Sequence, residues 1–376
     1  MINISTLRVG IVGLGGMGHH HTELAQNHGH KVVAGVDVSP DACEHFENKW
    51  VDVETYESHE AMYDDAQPDA VVVTTPNKFH APAAIDAFER DISVLTEKPL
   101  ANTLENAEAI ARAHEASDGV GMVGFHNRFA SLSSVAHDYV TDGDFGEVNH
   151  VETAYVRRRG VPGRGTWFVS KELSGGGSLV DIGVHILDLT LHLMDFPEIE
   201  HVSGTTRQEF GGEDDYTYLH MWGDDAEGEL DFDVEDSATA LIHTVDGRTI
   251  NLEVAWASNS PGRKSIKLRG TDGGATLDLQ DGDLTLHGTS DRGRAHHTDT
   301  DIETTGIDEK EAETEMFYDA VATGEEPELN TVEQALTVQR VLDSIYRSSE
   351  RGGETVQVDT IYRSNERGGE TVQIND

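Results

Sequence analysis

The chain has 376 residues, with 27 Lys plus Arg set against 70 Asp plus Glu, a formal net charge of −43. Nucleic-acid affinity comes mainly from cations that displace counterions, so a surface this acidic excludes a protein built to hold a phosphate backbone. A single cysteine, Cys43, excludes both an internal disulfide and a multi-cysteine metal site.

Length predicts two domains. Lys occurs only eight times and Arg nineteen. Few Lys with many carboxylates is the composition of a protein adapted to high salt, where a Debye length of roughly 3 Å near molar ionic strength screens the self-repulsion. The first residues lack the basic, apolar and cleavage segments of a secretory leader, and no apolar run approaches the roughly 18 residues of a membrane span. The expectation is a cytoplasmic protein, in a high-salt cytoplasm, with neither a membrane nor a nucleic acid as partner.

In chain order, residues 7–13, LRVGIVG, form a Val- and Ile-rich run ending in glycine, and 17–28 begin a helix. A second strand over 31–38 ends at Asp37 and is followed by Ser39-Pro40, a helix-start signal ahead of 41–49. Strand, helix and strand make one βαβ unit. The alternation continues through strand 70–74, helix 81–90, strand 93–97, helix 104–115 and strand 119–124. This predicts an α/β Rossmann domain over 1–124, its parallel sheet covered on both faces. After 125 the rhythm changes. An apolar helix over 178–194 precedes alternating stretches near 201–209, 214–223, 237–246, 249–258, 263–270, 273–279 and 283–287, separated by Gly and Asp turns. An α+β domain with a large, mostly antiparallel open sheet is expected over 125–360. Helices over 308–323 and 332–349 follow; Thr331-x-x-Gln334 is a capping-box pattern, and the second helix is expected to pack back on the Rossmann domain. Residues 345–360 and 361–376 match at twelve of sixteen positions, so 361–376 reads as a duplicated tail rather than a repeat architecture.

Gly13-x-Gly15-x-x-Gly18 lies where the first strand turns into its helix, and Asp37 ends the next strand. Glycines permit the tight turn and let the backbone approach a pyrophosphate at the helix N-terminus. A carboxylate at the second strand end binds ribose hydroxyls and repels a 2′-phosphate. The turn, with Gly16 and Met17 inside it, therefore predicts a dinucleotide site that favours NAD over NADP. A ligand-free glycine turn, with Asp37 acting as a helix-capping acid, is the plainer alternative. His19, His20 and His21 follow, but successive helical side chains diverge by about 100°, so the three do not converge on one metal ion. Thr96-Glu97-Lys98-Pro99 ends the 93–97 strand on the carboxyl edge, where α/β sheets place ligands, which makes Lys98 a candidate functional cation. In the 178–194 helix, apolar residues cover most of the circumference, while Asp181, His185, Asp188 and His192 form one narrow stripe. Ionisable groups on a buried helix cost on the order of several kcal/mol unless paired or facing a polar cavity, so the stripe is expected to line a cleft. There Asp181 would orient His185 and hold its pKa near neutral for acid/base work, with hydrogen bonding the simpler fate of Asp188 and His192. Zinc is the competing reading of the stripe, disfavoured because it has neither Cys nor a local HExxH; no metal is expected.

The turn GLGGMG, TTPNKFH at 74–80, EKPL at 97–100, GFHNRF at 124–129, RRRGVPGRG at 157–165 and SGGGSLVDIGVH at 174–185 together resemble the Gfo/Idh/MocA oxidoreductase family over nearly the whole chain. EKP followed by GGG-x-L-x-D-x-G-x-H, in that order and spacing, carries the specificity of the likeness. The resemblance implies a Rossmann domain followed by an α/β domain whose open sheet forms the substrate cleft and often an oligomer interface. By it Lys98, Asp181 and His185 match the family's catalytic lysine, aspartate and histidine. Thr75, Pro76, Asn77 and His80 match the segment beneath the nicotinamide, with Glu97 and Lys98 beside it, and Asn127 and Arg128 match residues bordering substrate. Tyr155, Arg164 and Trp167 are further pocket candidates, although a structural loop suits them equally. Two features depart from the family pattern: His192 stands where relatives usually carry a large apolar or aromatic residue, and the duplicated tail has no counterpart.

The expectation is an NAD-dependent dehydrogenase of a sugar, an inositol-like cyclic polyol or a sugar derivative. In it His185 accepts the hydroxyl proton as hydride leaves the carbon, Asp181 stabilises the imidazolium, and Lys98 polarises the oxygen that becomes a carbonyl. NAD-dependent redox-type glycoside cleavage would use the same residues without net NADH, and a non-catalytic dinucleotide-binding sensor is the reading from another class. A sheet with one uncovered face further predicts a homodimer or homotetramer.

Overall fold

A computed structural model describes residues 6–213, 216 and 231–358. Strands β1 (Arg8–Val12), β2 (Lys31–Val36), β3 (Glu54–Tyr56), β4 (Ala70–Val73), β5 (Ser93–Glu97) and β6 (Gly121–Gly124) form one sheet in the order β3-β2-β1-β4-β5-β6, with every pairing parallel. Parallel strands need crossovers, and the intervening helices cover both faces; the four residues of β4 are accordingly wholly buried. The strand order reverses between β1 and β4, and the carboxyl ends there diverge into a crevice. β3 and the helix His59–Ala66 are additional to the expected elements. A three-residue edge strand, half exposed, carries too little hydrophobic pattern to register.

Strands β7 (Val148–Val156), β8 (Ile199–Arg207), β9 (Ser237–Thr244), β10 (Thr249–Ala255), β11 (Arg263–Gly270), β12 (Gly274–Asp278), β13 (Asp283–Ser290), β14 (His296–Ile302) and β15 (Val356–Gln357) form a second sheet, ordered β14-β13-β12-β11-β7-β10-β9-β8-β15. Among the described residues only β7 and β10 pair in parallel within it. The strand expected near 214–223 lies outside the described residues, Tyr216 aside, as does the tail 361–376. The apolar 178–194 segment lies against the inner face of this sheet. It is not one α-helix, because a π-helical stretch, Leu179–Gly183, precedes the α-helix Val184–Leu193.

The last two helices return to the first domain. Glu309–Thr323, capped by the Asp308 carboxylate, sets Phe317, Tyr318 and Ala320 into one apolar cluster with Val9, Ile11 and Phe46. Val332–Glu350 begins with the full capping box, in which Gln334 N–H donates to Thr331 Oγ1 at 3.2 Å and Thr331 N–H to Gln334 Oε1 at 3.3 Å. It lies against both β8 and the Rossmann helix Leu104–Glu115. Among the described residues no helix is long and apolar enough to cross a membrane.

Candidate active site

The crevice between β1 and β4 is shaped by its glycines. Gly13 adopts φ +97°, and a Cβ there would meet the Thr74 carbonyl carbon at 2.9 Å; one on Gly18 would lie 2.1 Å from Gly13 O. A Cβ on Gly15 or Gly16 would meet nothing within 4 Å, so this face of the turn is open. It opens on a groove of about 450 Å³ lined by Gly13, Gly15, Asp37, Thr75, Pro76 and Trp167, among others. The Asp37 carboxylate accepts the N–H groups of Leu14 and Ser39, both at 2.9 Å. Thr75 Oγ1 is buried without a partner. An open glycine face at a helix N-terminus, a carboxylate at the end of β2 and an unsatisfied hydroxyl together fit a dinucleotide. Met17 is not among the groove's lining residues, and its Sδ accepts from Lys310 Nζ at 3.7 Å.

At the end of β5, Lys98 Nζ donates to Asp181 O at 3.1 Å and to Asp181 Oδ1 at 3.3 Å. The other carboxylate oxygen, Oδ2, accepts the indole N–H of the fully buried Trp256 at 2.9 Å. Both oxygens of Asp181 are thus committed, and neither reaches His185. That corrects the expected Asp181–His185 pair, and the reason is that Lys98 and Trp256 take up both oxygens of the carboxylate. His185 Nδ1 is buried without a partner, and the ring stands edge-on to His126 with centroids 5.3 Å apart. Burial and then the Lys98 ammonium push the His185 pKa well below its ordinary value, so the imidazole is neutral rather than poised near neutrality. His126 is likewise lowered, to about 4, first by burial and then by Lys310.

The rest of the stripe lines no cleft. Asp188 is paired with Arg128 in the core, and His192 stacks on His137 at 4.3 Å between centroids and 12° between planes. Burial, then Arg128 and His137, lower His192 to about 3. Arg128, expected to border substrate, is instead 1 % exposed; Nε donates to Asp188 Oδ2 at 2.9 Å, Nη2 to Asp188 Oδ1 and Nη1 to Gln334 Oε1.

His80 is also a correction. Both of its ring nitrogens lie 2.9 Å from backbone carbonyls, those of Pro99 and Thr75, so it clamps the TTPN segment to the EKP segment and does not line the groove. Asn77 ties the same segment to the second domain through Ser174 O at 2.8 Å. Glu97 accepts from His21 Nε2 at 3.1 Å; burial raises its carboxyl, but His21, Lys310 and Lys98 outweigh that and hold it at about 2. Trp167 stacks on Phe168 and lines a small cavity with Asn77, Lys98 and Asp181. Arg164 Nη1 donates to Glu213 O at 3.1 Å and belongs to the loop. Asn127 Oδ1 accepts from Lys264 Nζ at 3.3 Å, and Lys264 also sits 5.2 Å from the centroid of the Tyr155 ring. Trp256 and Lys264 are site residues that the sequence reading lacked. Period-two alternation was the available signal: Trp256 continues the inward positions Leu252 and Val254, and Lys264 occupies an inward position with Ile266 and Leu268. Among the described residues no three His, Cys, Asp or Glu side chains are grouped to hold a metal ion.

Comparison with known proteins agrees with the fold. Residues 7–125 match the model of an oxidoreductase family with an NAD-binding Rossmann fold, and residues 134–276 match the GFO/IDH/MocA C-terminal domain. The chain is 29 % identical over 352 residues to D-glucoside 3-dehydrogenase of Escherichia coli, covering 93 % of this chain and 97 % of that protein. It is 27 % identical over 301 residues to D-xylose 1-dehydrogenase (NADP(+)) 2 of Haloferax volcanii, covering 79 % and 83 %. A solved structure, levoglucosan dehydrogenase in complex with NADH and levoglucosan, shares the fold with a TM-score of 0.79 at 21 % identity, over 95 % of this chain and 100 % of that one. With both of its halves matched, this chain belongs to the GFO/IDH/MocA family of oxidoreductases.

Proposed function

We propose that the protein is a dehydrogenase that oxidises a hydroxyl-bearing carbon of a sugar or cyclic polyol, with Lys98 and His185 as the groups that meet the reacting oxygen. The observation that carries this reading is the Lys98 ammonium, held by Asp181 at the end of β5 and close enough to act on a buried, neutral His185 whose Nδ1 has no partner. A nicotinamide bound in that groove supplies the hydride acceptor. As the C–H bond gives up hydride, the hydroxyl proton passes to the neutral imidazole of His185. Lys98 donates an N–H to the same oxygen, stabilising the charge that develops on it. Asp181, fixed by Trp256, aims Lys98 rather than the imidazole, which modifies the role first expected of it. The sugar dehydrogenase names of the Escherichia coli and Haloferax volcanii relatives support the substrate class. Asp37 at the end of β2 favours NAD, because a 2′-phosphate would face its carboxylate.

The acidic composition fits work in a high-salt cytoplasm. The open outer face of the second sheet fits a homodimer or homotetramer. The test is a panel of sugars and polyols with NAD and NADP in molar KCl, read as net formation of reduced cofactor. Net formation separates a dehydrogenase from glycoside cleavage that returns the hydride. Lys98→Met and His185→Ala should each lower turnover on the order of 10²–10⁴-fold. Wild-type turnover in either variant would remove the assigned roles.

A further inference from the structure

The cations around Tyr155 are arranged for a charge that a neutral sugar lacks. Of only eight lysines in the chain, three (Lys98, Lys264 and Lys310) act electrostatically on both His126 and His185. Lys98 is balanced by Asp181, and Lys310 lowers the Glu97 carboxyl. Lys264 has no carboxylate partner among the described residues; it rests on Asn127 Oδ1 and the Tyr155 ring. Arg157 flanks the same ring, its guanidinium carbon 5.3 Å from the centroid, and donates to Tyr155 Oη at 3.3 Å and Gly160 O at 3.4 Å, with no carboxylate partner among the described residues. All three side chains keep partial exposure.

The sheet supplies its own control. On the outer face, Lys267 and Arg269 of β11 both pair with Glu152, and Arg263 pairs with Glu253. The inward Lys264 of the same strand, directly opposite Tyr155 in register, pairs with no acid among the described residues. In a chain with 70 carboxylates, two cations left on one aromatic ring at the inner face of the sheet leave room for an anion from elsewhere.

We propose that the substrate is anionic, a sugar or polyol bearing a carboxylate or phosphate group that Lys264 and Arg157 bind over Tyr155. The proposal rests on the dehydrogenase reading of the site and narrows its substrate class.

Matched sets test it: a hexose, its uronate and its 6-phosphate, and an inositol with its monophosphate, each titrated by calorimetry into the NAD-loaded protein and assayed for reduced cofactor. At least one anion should bind tenfold or more tightly than its neutral counterpart, and uronate against phosphate identifies the group. Lys264→Gln and Arg157→Gln should each cut the anion-to-neutral ratio about tenfold, the loss of one charge-assisted hydrogen bond, whereas Lys267→Gln on the outer face keeps the ratio. Neutral members binding as well as their anions in the wild type would overturn the proposal and leave the dehydrogenase intact. A ratio that survives Lys264→Gln in a folded protein would overturn the assignment of the anion site. If no member of any set binds or is oxidised, the dehydrogenase reading itself falls, and this narrowing with it.

Discussion

The Arg128–Asp188 pair offers the sharpest test of what a buried, paired charge contributes to this fold. The side chains are 0 % and 1 % exposed, and the pair is bidentate, with Nε to Oδ2 at 2.9 Å and Nη2 on Oδ1. Asp188 has no other partner among the described residues, while Arg128 also reaches Gln334 and stacks on Phe196 at 4.8 Å. Arg128→Met keeps most of the stem packing but leaves a carboxylate stranded in the core, at a cost of about 3–5 kcal/mol. The cost depends on pH in a fixed direction. Burial already raises the Asp188 pKa, with Arg128 opposing it. Without Arg128 the folded pKa rises further above the unfolded one, so the deficit grows as pH increases and shrinks when the carboxyl can be protonated. Replacing both partners by apolar residues, Arg128→Met with Asp188→Leu, should recover most of the loss. Urea denaturation in molar KCl at about pH 5 and about pH 8 measures all three proteins. A single variant losing less than about 1 kcal/mol, or losing the same amount at both pH values, would refute the argument that an unpaired charge is what destabilises it.

Other consequences follow from the site. Gly15→Ala should melt like the wild type yet lose at least about tenfold in dinucleotide affinity, because its methyl group enters open groove rather than protein; Gly18→Ala, whose Cβ would overlap Gly13 O, should fail to fold. Trp256→Phe removes the indole N–H from Asp181, which at about 1–3 kcal/mol for a buried unsatisfied acceptor should lower kcat about 10–100-fold while dinucleotide titrations keep their midpoint. For alcohol oxidation, the acid limb of the kcat/KM profile should fall below pH 6.5: neutral His185 accepts the proton, its pKa is depressed, and activity is lost only as pH drops through that lowered value. A limb at or above 6.5 would refute this. His192 is held neutral in the fold down to about 3, whereas the unfolded chain takes up its proton near 6.5, so its contribution to stability erodes as pH falls through that window. Thermal melts of His192→Phe at about pH 8 and about pH 5 should therefore show a smaller acid loss than the wild type.

The residues show why some of this was legible and some was not. Burial on both faces writes itself into sequence as unbroken apolar runs, which is why β1, β4 and β5 lay open to reading, and Ser39 and Thr331 announced their helices through hydrogen bonds that reach only three residues. β14, HHTDTDI, is exposed along almost its whole length at a sheet edge, so it has no hydrophobic signal to give. Lys98, Asp181 and His185 were found by type and spacing, but their contacts were not, because Lys98 and Trp256, the groups that hold Asp181, stand 83 and 75 residues away from it. Arg128 failed as a substrate residue for a similar reason: its partners, Asp188 and Gln334, stand 60 and 206 residues away. His80 likewise looked available until the carbonyls of Thr75 and Pro99 had consumed both its nitrogens.

The return of Phe317 and Tyr318 to the packing around Val9 and Ile11 has a consequence for biosynthesis. A ribosome delivers β1 more than three hundred residues before the ring of Phe317 that seals it emerges. Until then the nascent amino-terminal half carries a greasy seam open to solvent, so the dinucleotide domain matures only at the close of translation, and a chain cut at its own domain boundary would invite aggregation instead of folding as a free-standing unit.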